Sequence, residues 1–209
     1  MQERLSNDIY RFIDVADQMY IRGFVQVEIV FVRHGVPDYS LADARKMTQL
    51  EKDYAPLHRD CISFIKSQSE SDVFSGAEII VSSPYTRALQ TAELINRKLG
   101  LELFVEHDLR EWKADLNGGY IDLKERDRRW NEYRCHLKDK TLPLDVKYEA
   151  TTELRARVTS VLQQYKNHKK IVVVGHFNVF ESLIGYQEQG IGCAEYKRFN
   201  FNKVTNMQC

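Results

Sequence analysis

The amino-acid sequence predicts an α/β fold in which buried parallel strands end in polar residues. Two apolar runs support this prediction, Ile29 to Val32 and Ile171 to Val174. Continuous apolar runs are typical of strands that helices cover on both faces. Each run leads into a histidine beside a glycine, His34 after the first run and His176 after the second. Because helical patterns separate the two runs, we expect both strand ends to meet at one edge of the sheet, where ligands bind.

Length and composition favour one domain over residues 1–209. The 209 residues include 43% hydrophobic and 29% charged side chains, an ordinary globular balance. Thirty cationic and thirty anionic side chains cancel, so no global field favours nucleic acid or an anionic membrane as a partner. No apolar run approaches the ~18 residues of a membrane span, and the charged N-terminus lacks a signal-peptide core. We therefore expect a soluble, cytoplasmic protein.

The first half of the chain begins with a predicted helix over residues 6–22. Four elements follow in order: a strand at 26–33, a loop at 36–40, helical material from about 41 to 69 broken near Pro56, and a strand at 78–82. Ser83 and Pro84 then form a helix-start signal, with Ser83 as the cap and Pro84 at the first helical position. Gly100 predicts where this helix ends.

The second half of the chain continues with a strand at 103–105 and then Glu111. Residues 121–140 include 12 charged residues among 20, so we expect a solvated helix that rests one face on the domain. The remaining predictions are a loop at Pro143, a helix over 152–167, the strand at 171–174, a helix over 178–187 capped by Asn178, and an edge strand in the tail from 194 to 209.

The four cysteines, Cys61, Cys135, Cys193 and Cys209, are widely spaced. No Cys-x-x-Cys pair occurs, so the sequence indicates neither a zinc site nor a thioredoxin-like redox pair. A thiol phosphatase needs an arginine six positions after its cysteine, and none of these cysteines has one. The sequence therefore excludes that mechanism.

Five residues near strand ends together indicate phosphate chemistry: Arg33, His34, Arg87, Glu111 and His176. Alone, each has an ordinary explanation, such as a strand end or a solvated surface cation. Together, the guanidiniums suit a phosphoryl group, and nearby positive charge keeps a histidine neutral and nucleophilic. A neutral histidine can form a phosphohistidine that water hydrolyses, while a carboxyl group transfers the protons. This chemistry needs no metal and no cofactor.

Four blocks of the sequence resemble the histidine phosphatase superfamily, which includes the cofactor-dependent phosphoglycerate mutases. The blocks agree in order and approximate spacing over roughly residues 26–200. They are Arg33-His34-Gly35, the stretch from Ser82 to Ala92, Leu109-Arg110-Glu111, and Gly175-His176. The stretch from Ser82 to Ala92 is the most specific of the four.

The resemblance implies a role for each residue in these blocks. His34 would be the nucleophile, and Glu111 the acid–base residue. Arg33, Arg87 and His176 would bind the phosphoryl group. It also implies a three-layer α/β/α sandwich with a largely parallel sheet, of the phosphoglycerate mutase type, and it suggests a homodimer. The helix within residues 1–24 lies outside the family's common core, and residues 112–150 form a helical insertion that can cover the site.

The sequence departs from the family after Gly35, where many members have Glu-Thr and then Asn. Ser40 stands at the position of that asparagine and is a further candidate for substrate binding. The altered loop favours a metal-independent phosphatase of a small phosphorylated metabolite over a phosphoglycerate-type mutase. A non-catalytic phospholigand-binding protein is the third alternative. We expect specificity to lie in residues 36–54 and 112–143, where Trp112, Lys113, Arg128 and Trp130 are hypothesised to line the entrance.

Overall fold

The structure, a computed structural model, describes residues 26–42 and 44–201. The helix predicted over residues 6–22 therefore lies outside the described residues, as does the tail beyond residue 201.

Five strands within the described residues form one mixed sheet. They are β1 (Val27–Arg33), β2 (Ile79–Ser82), β3 (Glu102–Val105), β4 (Lys170–Gly175) and β5 (Tyr196–Phe201). The strand order is β3-β2-β4-β1-β5. The pairs β3–β2, β2–β4 and β4–β1 are parallel. The edge strand β5 pairs antiparallel with β1. The predicted α/β fold with a mostly parallel sheet is confirmed, including an edge strand in the tail.

Helices cover both faces of this sheet and give three layers. They are α1 (Gln49–Asp53), α2 (Ile62–Ser69), α3 (Thr86–Leu99), α4 (Leu123–Lys138), α5 (Thr151–Gln164) and α6 (Phe177–Ile184). Val30 and Val32 of β1 belong to the core shared with α2 and α3. Ile29 and Phe31 belong to the core shared with α4, α5 and α6. Successive side chains of a strand point to opposite faces, so covering both faces requires the continuous apolar run seen in the sequence.

Two predicted helix starts are wrong: the first is placed too early and the second too late. Helix α3 begins at Thr86, not at Pro84, and its N-cap is Tyr85. The Ser83 N–H donates to the Val174 carbonyl at 2.9 Å, so the backbone of Ser83 still follows the sheet. Helix α6 begins at Phe177, with His176 rather than Asn178 as its N-cap.

The segment from 41 to 69 is less helical than predicted. Residues 40–42 and 44–46 form turns, and a capping box of Thr48 with Glu51 starts the short α1. The segment around Pro56 instead pairs with the loop that follows β1. The Asp38 N–H donates to the Pro56 carbonyl at 2.8 Å, and the His58 N–H donates to the Val36 carbonyl at 2.8 Å. This pairing holds α1 beside the carboxyl end of β1.

The helix predicted over 152–167 is confirmed as α5. It buries an apolar stripe that consists of Leu154, Val158, Val161 and Leu162. Helix α4 confirms the charged helix predicted over 121–140, and it buries Tyr133. None of the helices within residues 26–42 and 44–201 has the length and apolar character needed to cross a bilayer.

Candidate active site

The register between β1 and β4 brings the two strand-end histidines together. Arg33 lies opposite Gly175 in this parallel pair, so the next residues, His34 and His176, are neighbours. Their ring centroids are 5.0 Å apart in an edge-on arrangement. Both residues are buried.

His34 has a defined tautomer. Its Nδ1 lies 2.6 Å from the Gly35 carbonyl, and because a carbonyl oxygen can only accept, Nδ1 carries the proton. Its Nε2 accepts from Arg87 Nε at 3.3 Å. Burial lowers the pKa of His34 well below 6.5, and the Arg87 and Arg33 guanidiniums lower it further, against the opposing effect of the Gly35 carbonyl. At neutral pH the imidazole is therefore uncharged, with the Nε2 lone pair beside Arg87.

The two arginines are held from different elements. Arg87 lies in the first turn of α3, where it donates to the Lys52 carbonyl at 3.2 Å and stacks 4.9 Å from the Tyr85 ring centroid. Arg33 donates to the Ile191 carbonyl at 2.8 Å. The Arg33 Nε is buried without a hydrogen-bond partner. The Arg33 guanidinium can therefore donate a hydrogen bond to a bound anion.

Thr91 links the nucleophile loop to the arginine helix. Its Oγ1 accepts from the Gly35 N–H at 3.0 Å and donates to the Arg87 carbonyl at 2.8 Å. A Cβ on Gly35 would lie 2.7 Å from Ile65 Cδ1 and 3.0 Å from Cys61 Sγ, so a larger residue where the chain turns away from β1 would force these side chains to shift. Both residues fall inside the blocks that carry the family resemblance.

His176 lies beside His34, is fully buried and is not among the residues that line the cavity. Its Nε2 lies 2.7 Å from Ser83 Oγ, and that oxygen accepts a hydrogen bond from the Tyr85 N–H at 3.3 Å. Its Nδ1 is buried without a hydrogen-bond partner. Burial lowers the pKa of His176 well below 6.5, with further lowering from the Arg87 charge. His176 is therefore neutral, and the Ser83 hydroxyl can fix which nitrogen carries the proton.

Glu111 lines the same cavity as His34. Its Oε1 accepts from the Trp112 N–H at 2.8 Å, and its Oε2 lies 3.5 Å from the Asn178 N–H. Burial raises the pKa of Glu111, although the Trp112 N–H and the Arg87 and Arg33 charges oppose that increase. A carboxyl group whose pKa is raised can act as a proton donor.

Sequence reasoning missed Arg157 of α5, which braces the loop that carries Glu111. Its guanidinium donates to the carbonyls of Asp108 at 2.6 Å, Arg110 at 2.8 Å and Glu111 at 3.2 Å. It also pairs with the Glu149 carboxylate, at 2.6 and 2.8 Å. A signal was present in the sequence, because Arg157 follows the core residue Leu154 by three positions and so interrupts an apolar helix stripe.

A cavity of about 350 Å³ is lined by Arg33, His34, Arg87 and Glu111 together with residues of other segments. Helix α4, part of the predicted insertion, contributes one wall. Trp112 and Trp130 line the cavity as hypothesised, whereas Lys113 and Arg128 do not. Ser40 is exposed and lies outside the lining, where its N–H donates to Asp38 Oδ1 at 3.1 Å. The lining residues are Arg33, His34, Pro37, Tyr39, Gln49, Lys52, Arg87, Glu111, Trp112, Ala114, Arg126, Asp127, Trp130, Phe177 and Asn178.

Potential metal ligands are not clustered in the part of the chain that the structure describes. There, no group of three or more His, Cys, Asp or Glu side chains is arranged to hold a metal ion. The acidic cavity residues Glu111 and Asp127 lie among cations, Arg33, Arg87 and Arg126.

Comparisons with known proteins agree with this geometry. The family model described as histidine phosphatase superfamily (branch 1) matches residues 29–208. An uncharacterized phosphatase, PhoE of Bacillus subtilis (strain 168), is 30% identical over 158 residues, which are 75% of each chain.

Solved structures share the fold at lower identity. A mycobacterial glucosyl-3-phosphoglycerate phosphatase has a TM-score of 0.63 and 19% identity, with 84% of this chain and 90% of that chain covered. A phosphoglycerate mutase of Bacillus anthracis str. Sterne has a TM-score of 0.61 and 17% identity, with 84% and 88% covered. The same architecture therefore serves proteins named as phosphatases and as mutases.

Proposed function

We propose that this chain, which belongs to the histidine phosphatase superfamily (branch 1), hydrolyses a small phosphorylated metabolite through a phosphohistidine on His34. The observation that carries the proposal is the neutral His34 imidazole, whose protonated Nδ1 leaves Nε2 as the nucleophile between two arginines. The cavity of about 350 Å³ suits a small substrate.

In the first step, His34 Nε2 attacks phosphorus and the phosphorus–oxygen bond to the leaving group breaks. The phosphoryl oxygens accept from Arg33 and Arg87, and this contact releases Nε2 from its hydrogen bond to Arg87. Protonated Glu111 gives its proton to the leaving oxygen. The unpartnered Nδ1 of His176, whose ring centroid lies 5.0 Å from that of His34, supplies one more hydrogen bond once the phosphoryl group lies deeper than the present cavity lining.

In the second step, water attacks the phosphohistidine. The Glu111 carboxylate removes a proton from that water, inorganic phosphate leaves, and His34 Nε2 regains its lone pair. Protein groups supply all of these roles, so the proposed reaction uses no metal and no cofactor.

A phosphoglycerate-type mutase is the second candidate, supported by the fold shared with the Bacillus anthracis enzyme. The loop from Pro37 to Ser40 departs from the mutase pattern, and Ser40 lies outside the cavity lining. Product analysis with a phosphoglycerate separates the two, because a mutase returns an isomer and a phosphatase returns glycerate and phosphate.

The test of the proposal is phosphate release from 4-nitrophenyl phosphate, with a chelator present, across a range of pH. We expect activity on this ester that survives the chelator. For an alkyl phosphate ester, whose leaving oxygen needs the Glu111 proton, we expect a bell-shaped profile of kcat/KM, which reports the free enzyme. Activity falls on the acid side as His34 becomes protonated, below pH 6.5 because its pKa is lowered. It falls on the basic side as Glu111 loses its proton, above pH 4.5 because its pKa is raised. A rate that climbs steadily to pH 9 would contradict these assignments.

Replacing Ser83 tests how His176 is oriented. If the Ser83 hydroxyl donates to His176 Nε2, the ring carries its proton on Nδ1, ready to bind the phosphoryl group. We expect Ser83→Ala to lower kcat/KM about tenfold, the value of one hydrogen bond, and Ser83→Thr to restore most of it. Nitrogen chemical shifts of His176 report the tautomer directly. Unchanged shifts in Ser83→Ala would show that Ser83 does not set it.

A further inference from the structure

We call the lining formed by Arg33, His34, Arg87 and Glu111 the inner end of the cavity and the rest of its lining the outer part. The outer part contains two amide side chains whose orientations are fixed in opposite senses. Gln49 of α1 donates through Nε2 to Asp53 Oδ1 at 2.9 Å, which leaves its carbonyl oxygen as an acceptor. Asn178 of α6 accepts from Trp130 Nε1 at 3.0 Å. Because an indole N–H can only donate, the Asn178 carbonyl faces Trp130 and its amino group remains as a donor. Both residues line the cavity.

Helix α4 adds a second donor and acceptor to the same part of the cavity. Arg126 and Asp127 both line it, with Arg126 Nη2 3.6 Å from Asp127 Oδ1. Lys52 also lines the cavity, with Nζ 5.4 Å from the centroid of the Tyr120 ring. Donors and acceptors are therefore interspersed here, in contrast to the inner end, where Arg33 and Arg87 favour an anion.

Hydroxyl groups match this surface because each can donate one hydrogen bond and accept others. An apolar leaving group would cover the Gln49 carbonyl and the Asn178 amino group without replacing their hydrogen bonds to water, at a cost in affinity. A carboxylate on the leaving group would match Lys52 and Arg126 but would repel Asp127, and unlike a hydroxyl it could not donate to Gln49.

We propose that the substrate is the phosphate ester of a polyhydroxylated compound, a sugar or polyol, and that Gln49 and Asn178 select its hydroxyl groups. This inference rests on the phosphatase function proposed above. It names the chemical class of the leaving group and assigns a specificity role to two residues outside the phosphoryl-binding end.

The test compares three phosphate esters that share a secondary ester on a three-carbon skeleton. Glycerol 2-phosphate carries a hydroxyl on each side, isopropyl phosphate carries none, and 2-phosphoglycerate replaces one hydroxymethyl group by a carboxylate. We expect kcat/KM for glycerol 2-phosphate to exceed that for isopropyl phosphate at least about tenfold, as for one or two hydrogen bonds. A ratio near one, cleavage of neither alkyl ester by an enzyme that is active on 4-nitrophenyl phosphate, or a tenfold preference for 2-phosphoglycerate overturns the inference.

Variants separate recognition from the intrinsic reactivity of the esters. Gln49→Leu and Asn178→Ala should each lower the preference for glycerol 2-phosphate over isopropyl phosphate by about three- to tenfold. Gln163→Leu, at an exposed position of α5 outside the cavity, should leave that ratio at its wild-type value. If Gln49→Leu unfolds, Gln49→Met takes its place. An unchanged ratio in folded variants of both residues overturns the assignment, whereas a wild-type enzyme inactive on all four esters overturns the proposed phosphatase itself.

Discussion

His34→Ala is expected to lower kcat for 4-nitrophenyl phosphate by about 10⁴-fold or more, the scale of loss when the nucleophile of a covalent mechanism is removed. The reason is that no other cavity residue combines an uncharged nitrogen with a neighbouring pair of arginines. His176 is the nearest imidazole, but in the proposed tautomer its Nδ1 carries the proton and its Nε2 accepts from the Ser83 hydroxyl, so it has no free lone pair for the attack. Steady-state phosphate release measures the effect.

Two further measurements make this result specific to the nucleophile. Acid-labile, alkali-stable label should appear on the wild-type protein after rapid mixing with labelled substrate, and it should be absent from His34→Ala. The variant should still bind inorganic phosphate, because the hydrogen bonds that position Arg33 and Arg87, to the Ile191 and Lys52 carbonyls, do not involve His34. His107→Ala is the matched control, since the His107 side chain is 79% exposed and lies outside the cavity. Equal activity of His34→Ala and wild type would remove His34 as the nucleophile.

The inner end of the cavity could be predicted from the sequence because local patterns determine it. Two apolar runs that both need burial on two faces must lie inside the sheet, and pairing β1 with β4 then brings His34 beside His176. Arg87 follows the last residue of β2 by five positions, so the first turn of α3 places it at the same edge of the sheet. Little long-range information is needed for these three residues.

The outer end could not be predicted, because contacts between distant segments determine it. Gln49 and Lys52 reach the cavity only because residues 56–58 pair with the loop after β1, and this pairing has no periodic signature. Arg157 braces the Glu111 loop across 46 positions of sequence. At Ser83 the local pattern predicts a helix cap, but the backbone N–H of Ser83 instead pairs with Val174 of the neighbouring strand. Tertiary contacts decided each of these positions.

Glu111→Gln is expected to have an effect that depends on the leaving group. Glutamine keeps the shape and can still accept from the Trp112 N–H, but it cannot deliver a proton. An alkyl oxygen needs that proton as it leaves, so kcat/KM for glycerol 2-phosphate should fall about 10³-fold, within the range for general acid catalysis. The 4-nitrophenolate ion leaves without a proton, so kcat/KM for the aryl ester should fall far less. The basic limb of the pH profile for glycerol 2-phosphate should also disappear.

The second step gives this variant an additional signature. Without a carboxylate to activate water, Glu111→Gln should form phosphohistidine from the aryl ester at once and hydrolyse it slowly, producing a burst of 4-nitrophenol and a labelled protein. Glu102→Gln is the matched control, because Glu102 is an exposed carboxylate on β3 outside the cavity. Equal losses on alkyl and aryl esters, with no burst, would mean that Glu111 only shapes the cavity. A large alkyl-specific loss together with a burst requires one carboxyl group to serve as acid in the first step and as base in the second, because the raised pKa allows Glu111 to hold a proton and then release it.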